Sequence, residues 1–470
     1  MPDFGIIASD PVIQSLVQEN ALQRAFHDSL FPALLYRLEA AEQQFPGNVG
    51  ESMTFTGPGL IKPKPKPIQP GSDPAPSSYG AEQWAVTVNQ YADTIDTHMP
   101  SSITAIADLF LRNAQQLGLN AGQTLNRLVR NAMYNAAMAG ATVADGAQVL
   151  AGTSGTLRVA RLNGFTTSRR PDLPSGSPVR FDPVSANNPL RITVRVGAVD
   201  LAASVVGFSP DAAGDEQGPG TLSLTYAAGP HNVLDRATVL AVDRTYRVNA
   251  AAGNSIDALN AGDAISLAHI RTMVARFRKQ NVAPQADGRY HCHLDPISEA
   301  QVFADTEFQR LLTSLPDHYA YREFTVGELL GTIFFRNSES PGLSTVENDG
   351  AGGYDTDEPF GGELVNAGGV EVSRALFSGD GSIYEYYVEL DQLITEAGLQ
   401  GKVGEPRITN SGIEVNTDRI QLIFRAPQNR LQDQVSTSWK FIGGWAVRTD
   451  AAVGDAARYK RLGLIEHAAE

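Results

Sequence analysis

The sequence predicts an α+β chain, and three observations carry that expectation. Apolar residues recur at helical spacing between 101 and 140, and period-2 runs recur from residue 51 onward. A cluster of short strand-like runs, separated by Gly, Pro and Asp, fills residues 165–265. With 42% hydrophobic and 19% charged residues over 470 positions, the chain has room for several globular domains.

The elements follow in chain order. Residues 11–44 place Val12, Leu16 and Val17, then Leu30, Leu34, Leu35 and Leu38, at helical spacing before the stop FPGN, which predicts a helical arm. ESMTFTGPG at 51–59 is strand-like. EQWAVTVNQYADTID at 82–96 alternates Trp84, Val86 and Val88 on one parity, so the two runs predict a β-hairpin. Its tip, LIKPKPKPIQPGSDPAPSSYG at 60–80, joins neither helix nor sheet interior, and such a long connection is unusual in a compact domain. From Ser101 to Gly140 the chain reads as helix, with Ser101 or Ser102 as N-cap and GLNAG at 118–122 as a kink or a split. Unbroken, it would be about 60 Å long, more than a small globule needs.

Within 165–265 the candidate strands are Val179–Phe181, Arg191–Val196, Ser204–Phe208, Thr221–Tyr226 and Ala237–Val248, a small antiparallel barrel or sandwich inserted into a host domain. The host resumes with a helix at 267–279, a strand at 288–296 and the helix ISEAQVFADTEFQRLL. It continues with ELLGTIFFRN as a strand, a Gly- and acid-rich loop at 339–369, and strands at 382–389, 418–425 and 437–449.

Composition narrows the function. Lys+Arg 37 against Asp+Glu 52 leaves a formal charge of -15, which disfavours general gripping of phosphate backbones. The single Cys292 excludes an intrachain disulfide framework and a thiolate-rich zinc site. No cationic, apolar leader opens the sequence and no window reaches the length of a membrane span, so the expectation is a protein without a membrane partner.

Few constellations carry chemistry. HCHLD puts His291, His293 and Asp295 on one face of a strand, where two imidazoles and a carboxylate suit a metal ion and hydrolysis; the competing reading is a polar strand face. Cys292, on the other face, reads as a small buried hydrophobe. NDGAGGYDTDEPFGGE at 348–363 gathers Asp349, Asp355, Asp357, Glu358 and Glu363 but lacks the spacing of a calcium loop. TSGT at 153–156 and SGDGS at 378–382 read as turns. Arg271, Arg276, Arg278 and Lys279 read as a solvated helix face or a polyanion site. Phosphate-loop, nucleophile-elbow, metalloprotease and dinucleotide templates are missing from the sequence, and the expectation is no enzyme, no cofactor and no metal.

The order of parts resembles the major capsid proteins of tailed double-stranded DNA bacteriophages, the shell fold named after phage Hong Kong 97. VTVNQYADTIDT (86–97), AGQTLNRLVRNAMYNA (121–136) and VARFRKQNVAPQADGRYHCHLDPISEAQVFADTEFQ (274–309) are similar to the branch of N-four-like podoviruses. The resemblance covers about three quarters of the chain. It implies a helical N-terminal arm at 1–50, an E-loop hairpin at 51–97, and the spine helix with the start of the P-domain at 98–164. An inserted β-domain then spans 165–265, the A-domain 266–400, and a return of strands to the A- and P-domains 401–470.

The implied function is structural: a subunit that self-assembles as hexamers and pentamers into an icosahedral virion shell in the host bacterial cytoplasm. Scaffolding protein, portal and decoration proteins are the implied partners, with packaged DNA held inside without sequence-specific contacts. A fused scaffold is not expected, because the sequence starts directly on the arm. The covalent lysine–asparagine cross-link of the founding member is not carried over, because no aligned lysine, asparagine and glutamate can be assigned. An encapsulin-type compartment is the nearest structural alternative, and display of the inserted domain for host or carbohydrate binding is a third. Within the shell reading, Lys62, Lys64 and Lys66, spaced by Pro63, Pro65 and Pro67, are the expected intersubunit contact at the hairpin tip. Proline presets extended geometry and removes stray N–H donors while the lysines face acidic neighbours.

Overall fold

The computed structural model describes residues 35–44, 52–58, 63–65, 67–68, 71–74, 76–77, 81–98, 106–170, 178–179, 181–213, 217–251, 258–313, 327–337, 366, 369–388, 420–425, 434–449 and 457–469. A 3-10 turn, Tyr36–Glu39, leads into strands β1 (Ala40–Gln44), β2 (Ser52–Pro58), β3 (Ala81–Thr87) and β4 (Asn89–His98), then helix α1 (Ile106–Ala137). Strands β5 (Ala141–Val143), β6 (Gln148–Val159), β7 (Thr167–Arg169), β8 (Pro178–Val179) and β9 (Phe181–Pro183) follow. After them come β10 (Leu190–Val196), β11 (Val199–Pro210), β12 (Gly220–Val233) and β13 (Thr238–Ala241). Next are β14 (Tyr246–Asn249), α2 (Leu267–Lys279), β15 (Tyr290–Leu294), α3 (Pro296–Ala304) and α4 (Thr306–Thr313). The last strands are β16 (Glu328–Leu329), β17 (Thr332–Arg336), β18 (Val372–Ser378), β19 (Ile383–Tyr387), β20 (Gln421–Arg425), β21 (Gln434–Val447) and β22 (Leu462–Ala468). The fold is α+β, in two compact units: residues 1–53, 85–130 and 383–446 form the first, and 54–84, 131–382 and 447–470 the second.

In the first unit β1, β19, β21 and β20 lie side by side, and β4 also pairs with β21. The predicted helix does not reach residue 44. AAEQQ has good helical propensity, but it pairs in parallel with β19 from Ala40↔Ile383 to Gln44↔Tyr387, and that pairing overrides the weak local preference. The more N-terminal part of the predicted arm lies outside the described residues. Helix α1 runs unbroken through GLNAG. Each glycine there costs about 1 kcal/mol relative to alanine, but Leu117, Ala121 and Leu125 keep one face in continuous contact with Ile420, Trp439 and Phe441. Trp439 Nε1 donates to Asn120 Oδ1 at 2.9 Å, so the middle of the predicted break is itself an anchor. The N-cap candidates Ser101 and Ser102 lie outside the described residues.

The second unit contains the hairpin pair β2–β3, to which β8 adds. The alternating run 82–96 divides at Val88, so that β3 and β4 join different sheets. The unit's largest β-structure is a barrel in the order β5-β13-β10-β11-β12-β6, and its ends meet through the bridge Ala144↔Val159 and the bond from Ala160 N–H to Val143 O at 3.0 Å. Leu150, Leu157, Phe165, Ile192, Val205 and Leu222 fill its core. The sequence expectation of 165–265 is displaced here: barrel strands begin at Ala141, and β14 leaves the barrel to pair in parallel with β22. TSGT at 153–156 is strand, not turn. Ser154, Gly155 and Thr156 pair with Thr225, Leu224 and Ser223 of β12, and Thr153 lies at the irregularity opposite β12 between Thr225 and Gly229.

The remaining sheet has the order β14-β22-β18-β15-β17-β16. Sequence reading missed β18 and β22, which are buried on both faces and therefore lack the alternation that marks a half-buried strand. Met273 and Phe277 of α2 pack on Cys292, Phe377 and Ile465 of this sheet.

At the C-terminus of α1 the chain turns through Gly140 (φ 77°), which abuts Gly164 (φ 80°). A Cβ on Gly164 would collide with the Gly140 backbone nitrogen. Gly164→Ala is expected to lower the unfolding free energy by at least about 2 kcal/mol, from left-handed strain plus the clash. Urea denaturation followed by circular dichroism measures this, and an unchanged midpoint would contradict the close approach.

Candidate functional site

Two arrangements stand out: the hairpin with its tip, and a buried polar network in the second unit. At the hairpin base Phe55 and Trp84 stack with centroids 6.4 Å apart, and the Arg448 guanidinium lies 5.4 Å from the Trp84 ring centroid. Gln83 Nε2 donates to Thr56 Oγ1 at 3.1 Å across the pair. Beyond this base, Pro63, Lys64, Pro65, Pro67 and Ile68 are exposed, Ile68 at 58%. Lys62 and Lys66 lie outside the described residues, as does the acid-rich run 348–363.

The predicted metal face does not assemble. Alternation does place His291 and His293 on one side of β15, but the Phe335 ring packs against both, with centroids 5.0 and 5.4 Å away. His291 Nε2 bonds Asp287 Oδ2 at 2.9 Å. Asp295 has left the strand to become the N-cap of α3, accepting from Ser298 N–H at 3.3 Å, with Pro296 in the first turn. Among the described residues no group of three His, Cys, Asp or Glu is placed to hold a metal ion. The helix-face arginines are also engaged: Arg271 pairs with Glu307 at 3.5 Å, and Arg276 lies over Tyr246.

Asp295 opens a buried chain that spacing could not reveal, since its partners come from α3, β18 and β22. Asp295 contacts Ser298 Oγ and accepts from Ser373 Oγ at 3.3 Å; Ser298 Oγ lies 2.8 Å from His467 Nε2, and His467 Nδ1 lies 2.9 Å from the Ala468 carbonyl. The carbonyl can only accept, so Nδ1 carries the ring proton and Nε2 accepts from the Ser298 hydroxyl. That spends the hydroxyl's one proton, so Oγ can accept from Asp295 when the carboxyl is protonated, below about pH 6. The titration follows the same direction. Burial pushes Asp295 up to about 6 against the pull of its hydrogen bonds, and burial takes His467 down to about 4. Serine, histidine and aspartate are thus present without the connectivity of a catalytic triad. The carboxyl faces the serine instead of the imidazole, and all three side chains are fully buried.

Next to this chain, Glu466 Oε1 accepts from Arg247 Nη1 at 3.1 Å and from Arg374 Nε at 3.2 Å. Arg374 and Glu466 are direct cross-strand partners, and Arg247 reaches from β14. Arg247 Nη2 also donates to the Met138 carbonyl at 2.6 Å. Thr245 Oγ1 takes the Ala136 carbonyl and Asn163 Nδ2 the Asn135 carbonyl, so three carbonyls at the end of α1 are satisfied by side chains.

Two outcomes follow from this network. Glu466→Ala leaves two arginines without their buried carboxylate and is expected to cost about 3–5 kcal/mol in urea unfolding. The second concerns pH. With its pKa raised from 3.8 to about 6, Asp295 makes the folded chain hold the extra proton, so its contribution is lost as pH rises through that window. With its pKa lowered from 6.5 to about 4, His467 makes the unfolded chain hold it, so its contribution grows with pH. The slopes oppose each other in the overlap. Relative to wild type, the unfolding midpoint of Asp295→Asn should climb between about pH 4.5 and 6, and that of His467→Gln should fall. Curves parallel to wild type would exclude the protonated carboxyl.

No family model matches the chain, and no curated protein matches it. Solved structures do align. The capsid of Ralstonia phage GP4 aligns at 12% identity over 92% of this chain and 87% of its own, with a TM-score of 0.43. The capsid of cyanophage P-SCSP1u aligns at 10% identity over 92% and 88%, with a TM-score of 0.47. The cyanophage Pam1 capsid aligns at 11% identity over 94% and 92%, with a TM-score of 0.48.

Proposed function

We propose that the chain is a major capsid protein, a structural subunit that assembles through copies of itself into the icosahedral shell of a tailed double-stranded DNA phage. The observation that carries this reading is the hairpin β2–β3. Its base is fixed by the Phe55, Trp84 and Arg448 stack, while its proline-rich connection places the described tip residues in solvent. A lone globule gains little from such an excursion. A shell subunit gains a reach to its neighbour, with the interface supplying the stability the tip lacks by itself. The 32-residue helix α1, about 48 Å long, suits a spine that braces an extended subunit.

In this reading the parts are an arm (1–50), an E-loop (51–97), a spine with the start of the P-domain (98–164), an inserted β-domain (165–265), an A-domain (266–400) and a C-terminal return (401–470). The inserted domain's boundary moves to the start of the barrel at Ala141. Hexamers and pentamers, a scaffolding protein, a portal and decoration proteins are the partners this role needs. The acidic balance fits a wall that holds DNA without gripping it.

Electron microscopy of the full chain expressed with its scaffolding protein tests the proposal, which expects closed shells; a strictly monomeric product would overturn it. Within this reading, replacing Lys62, Lys64 and Lys66 together by glutamine should leave the monomer's melting temperature unchanged and reduce the yield of particles. Equal yields, insensitive to salt, would remove the lysines from the contact.

A further inference from the structure

Ser298 stands between two groups that a single hydroxyl proton cannot serve at once. Its Oγ contacts Asp295 Oδ1 on one side and lies 2.8 Å from His467 Nε2 on the other. Asp295 Oδ2 accepts from Ser298 N–H and from the Ser373 hydroxyl of β18, each at 3.3 Å, so Oδ1 is the oxygen turned towards Ser298 Oγ. His467 Nδ1 lies 2.9 Å from the Ala468 carbonyl, which also accepts from Gln301 Nε2 at 2.9 Å. Asp295, Ser298 and His467 are fully buried, and each therefore depends on these partners.

With a protonated carboxyl every contact holds one proton: Oδ1–H donates to Oγ, the hydroxyl donates to Nε2, and Nδ1–H donates to the carbonyl. An ionised carboxylate can only accept. Ser298 must then donate to Oδ1, and its oxygen is left to accept from Nε2. The ring could supply that donor as an imidazolium or as the neutral Nε2–H tautomer, and its surroundings oppose the cation. Burial, with the charges of His269 on α2 and Arg374 on β18, lowers the His467 pKa to about 4. The nearby acids are engaged elsewhere: Glu466 on β22 is shared by Arg247 and Arg374, Glu299 on α3 is paired with Arg336, and Asp263 and Asp305 act on His269. Asp295 is the anion that faces the ring, and the Ser298 hydroxyl separates them.

We propose that Ser298 works as a proton-operated latch on the end of β22: ionisation of Asp295 turns the hydroxyl from His467 to Asp295, moves the ring proton from Nδ1 to Nε2, and releases the imidazole from the Ala468 carbonyl. The protons balance, since Asp295 gives one to solvent and the ring keeps one. Gln301 still bonds the carbonyl after the ring lets go, so the strand end loosens without losing its last donor. Nδ1 and the Ala468 oxygen then face each other as two acceptors, which pushes the backbone there away from the ring. That backbone is held by Ala468 N–H to the Asp263 carbonyl at 3.0 Å and by Ala469 N–H to the Glu371 carbonyl at 2.8 Å. Burial of Asp295, which raises its pKa to about 6, sets the window: the latch is closed below it and released above it.

Nitrogen NMR of the full chain, labelled at histidine, reads the tautomer, and the His467 signals are assigned by their loss in His467→Gln. Wild type is expected to show Nδ1–H below about pH 5 and Nε2–H above about pH 7. In Asp295→Asn the side-chain amide donates to Oγ at every pH, so Nδ1–H should persist throughout. Ser298→Ala interrupts the relay, and its ring should keep one tautomer across the range. Amide hydrogen exchange at Ala468 and Ala469, corrected for the intrinsic effect of pH, should quicken at least about ten-fold across the window in wild type and stay level in Asp295→Asn. Nδ1–H at both ends of the range in wild type would overturn the latch. So would an imidazolium signal above about pH 7, or a tautomer switch that survives in Asp295→Asn. The wild-type spectrum decides the question even where a variant fails to fold.

Discussion

A carboxylate buried in the middle of a sheet must be met by a cation, and Glu466 is met by two. Arg374 reaches it from the antiparallel neighbour β18 and Arg247 from the parallel neighbour β14, so one side chain reads the register on both sides of β22. A slip of one residue would turn Glu466 to the other face and leave both arginines buried without it. Arg247 carries the constraint further, because its other amino group holds the Met138 carbonyl at the end of α1. The Tyr134 hydroxyl adds a bond to the Arg374 carbonyl at 3.1 Å. The position where the long helix stops is therefore tied to the register of a sheet whose last strand is written more than 300 residues later.

The first unit uses the same device for its N-terminal segment. Arg37 donates Nε to Glu385 Oε2 at 2.7 Å and Nη2 to Oε1 at 2.5 Å, Trp445 Nε1 adds a third donor at 3.2 Å, and Tyr36 N–H reaches Asn126 Oδ1 on α1 at 2.8 Å. A bidentate pair with a fully buried carboxylate fixes orientation as well as proximity. The segment before β2 is thus seated by specific polar bonds as well as by its strand pairing.

The buried Asp295–Ser298–His467 chain shows why residue identity alone does not make a site. Three residue types familiar from hydrolases stand within hydrogen-bond reach, yet the hydroxyl sits between carboxyl and imidazole, and the imidazole bonds a backbone carbonyl instead of the carboxyl. That order caps a helix and satisfies a strand end. Buried polar groups need partners more than they need a reaction, and here each member is the other's partner.

Much of the fold was legible in the sequence because local pattern and tertiary environment agreed. Leu267–Lys279 was read to the residue as a helix, Tyr290–Leu294 was read as a strand within 288–296, and the barrel strands at 190–226 were read as short runs separated by Gly, Pro and Asp. The hairpin was legible for the opposite reason, since proline at every second position excludes both regular structures. What failed depended on long-range partners. AAEQQ is strand because β19 lies beside it, GLNAG stays helical because Trp439 and Phe441 cover it, and β18 and β22 show no alternation because both faces are buried. Sequence alone determined the order of elements and the chemistry available at each position. Tertiary structure decided which charges meet: Glu466 with Arg247 and Arg374, and Arg37 with Glu385. Ion pairing depends on distance in space, and those residues lie from tens to more than 200 positions apart along the chain.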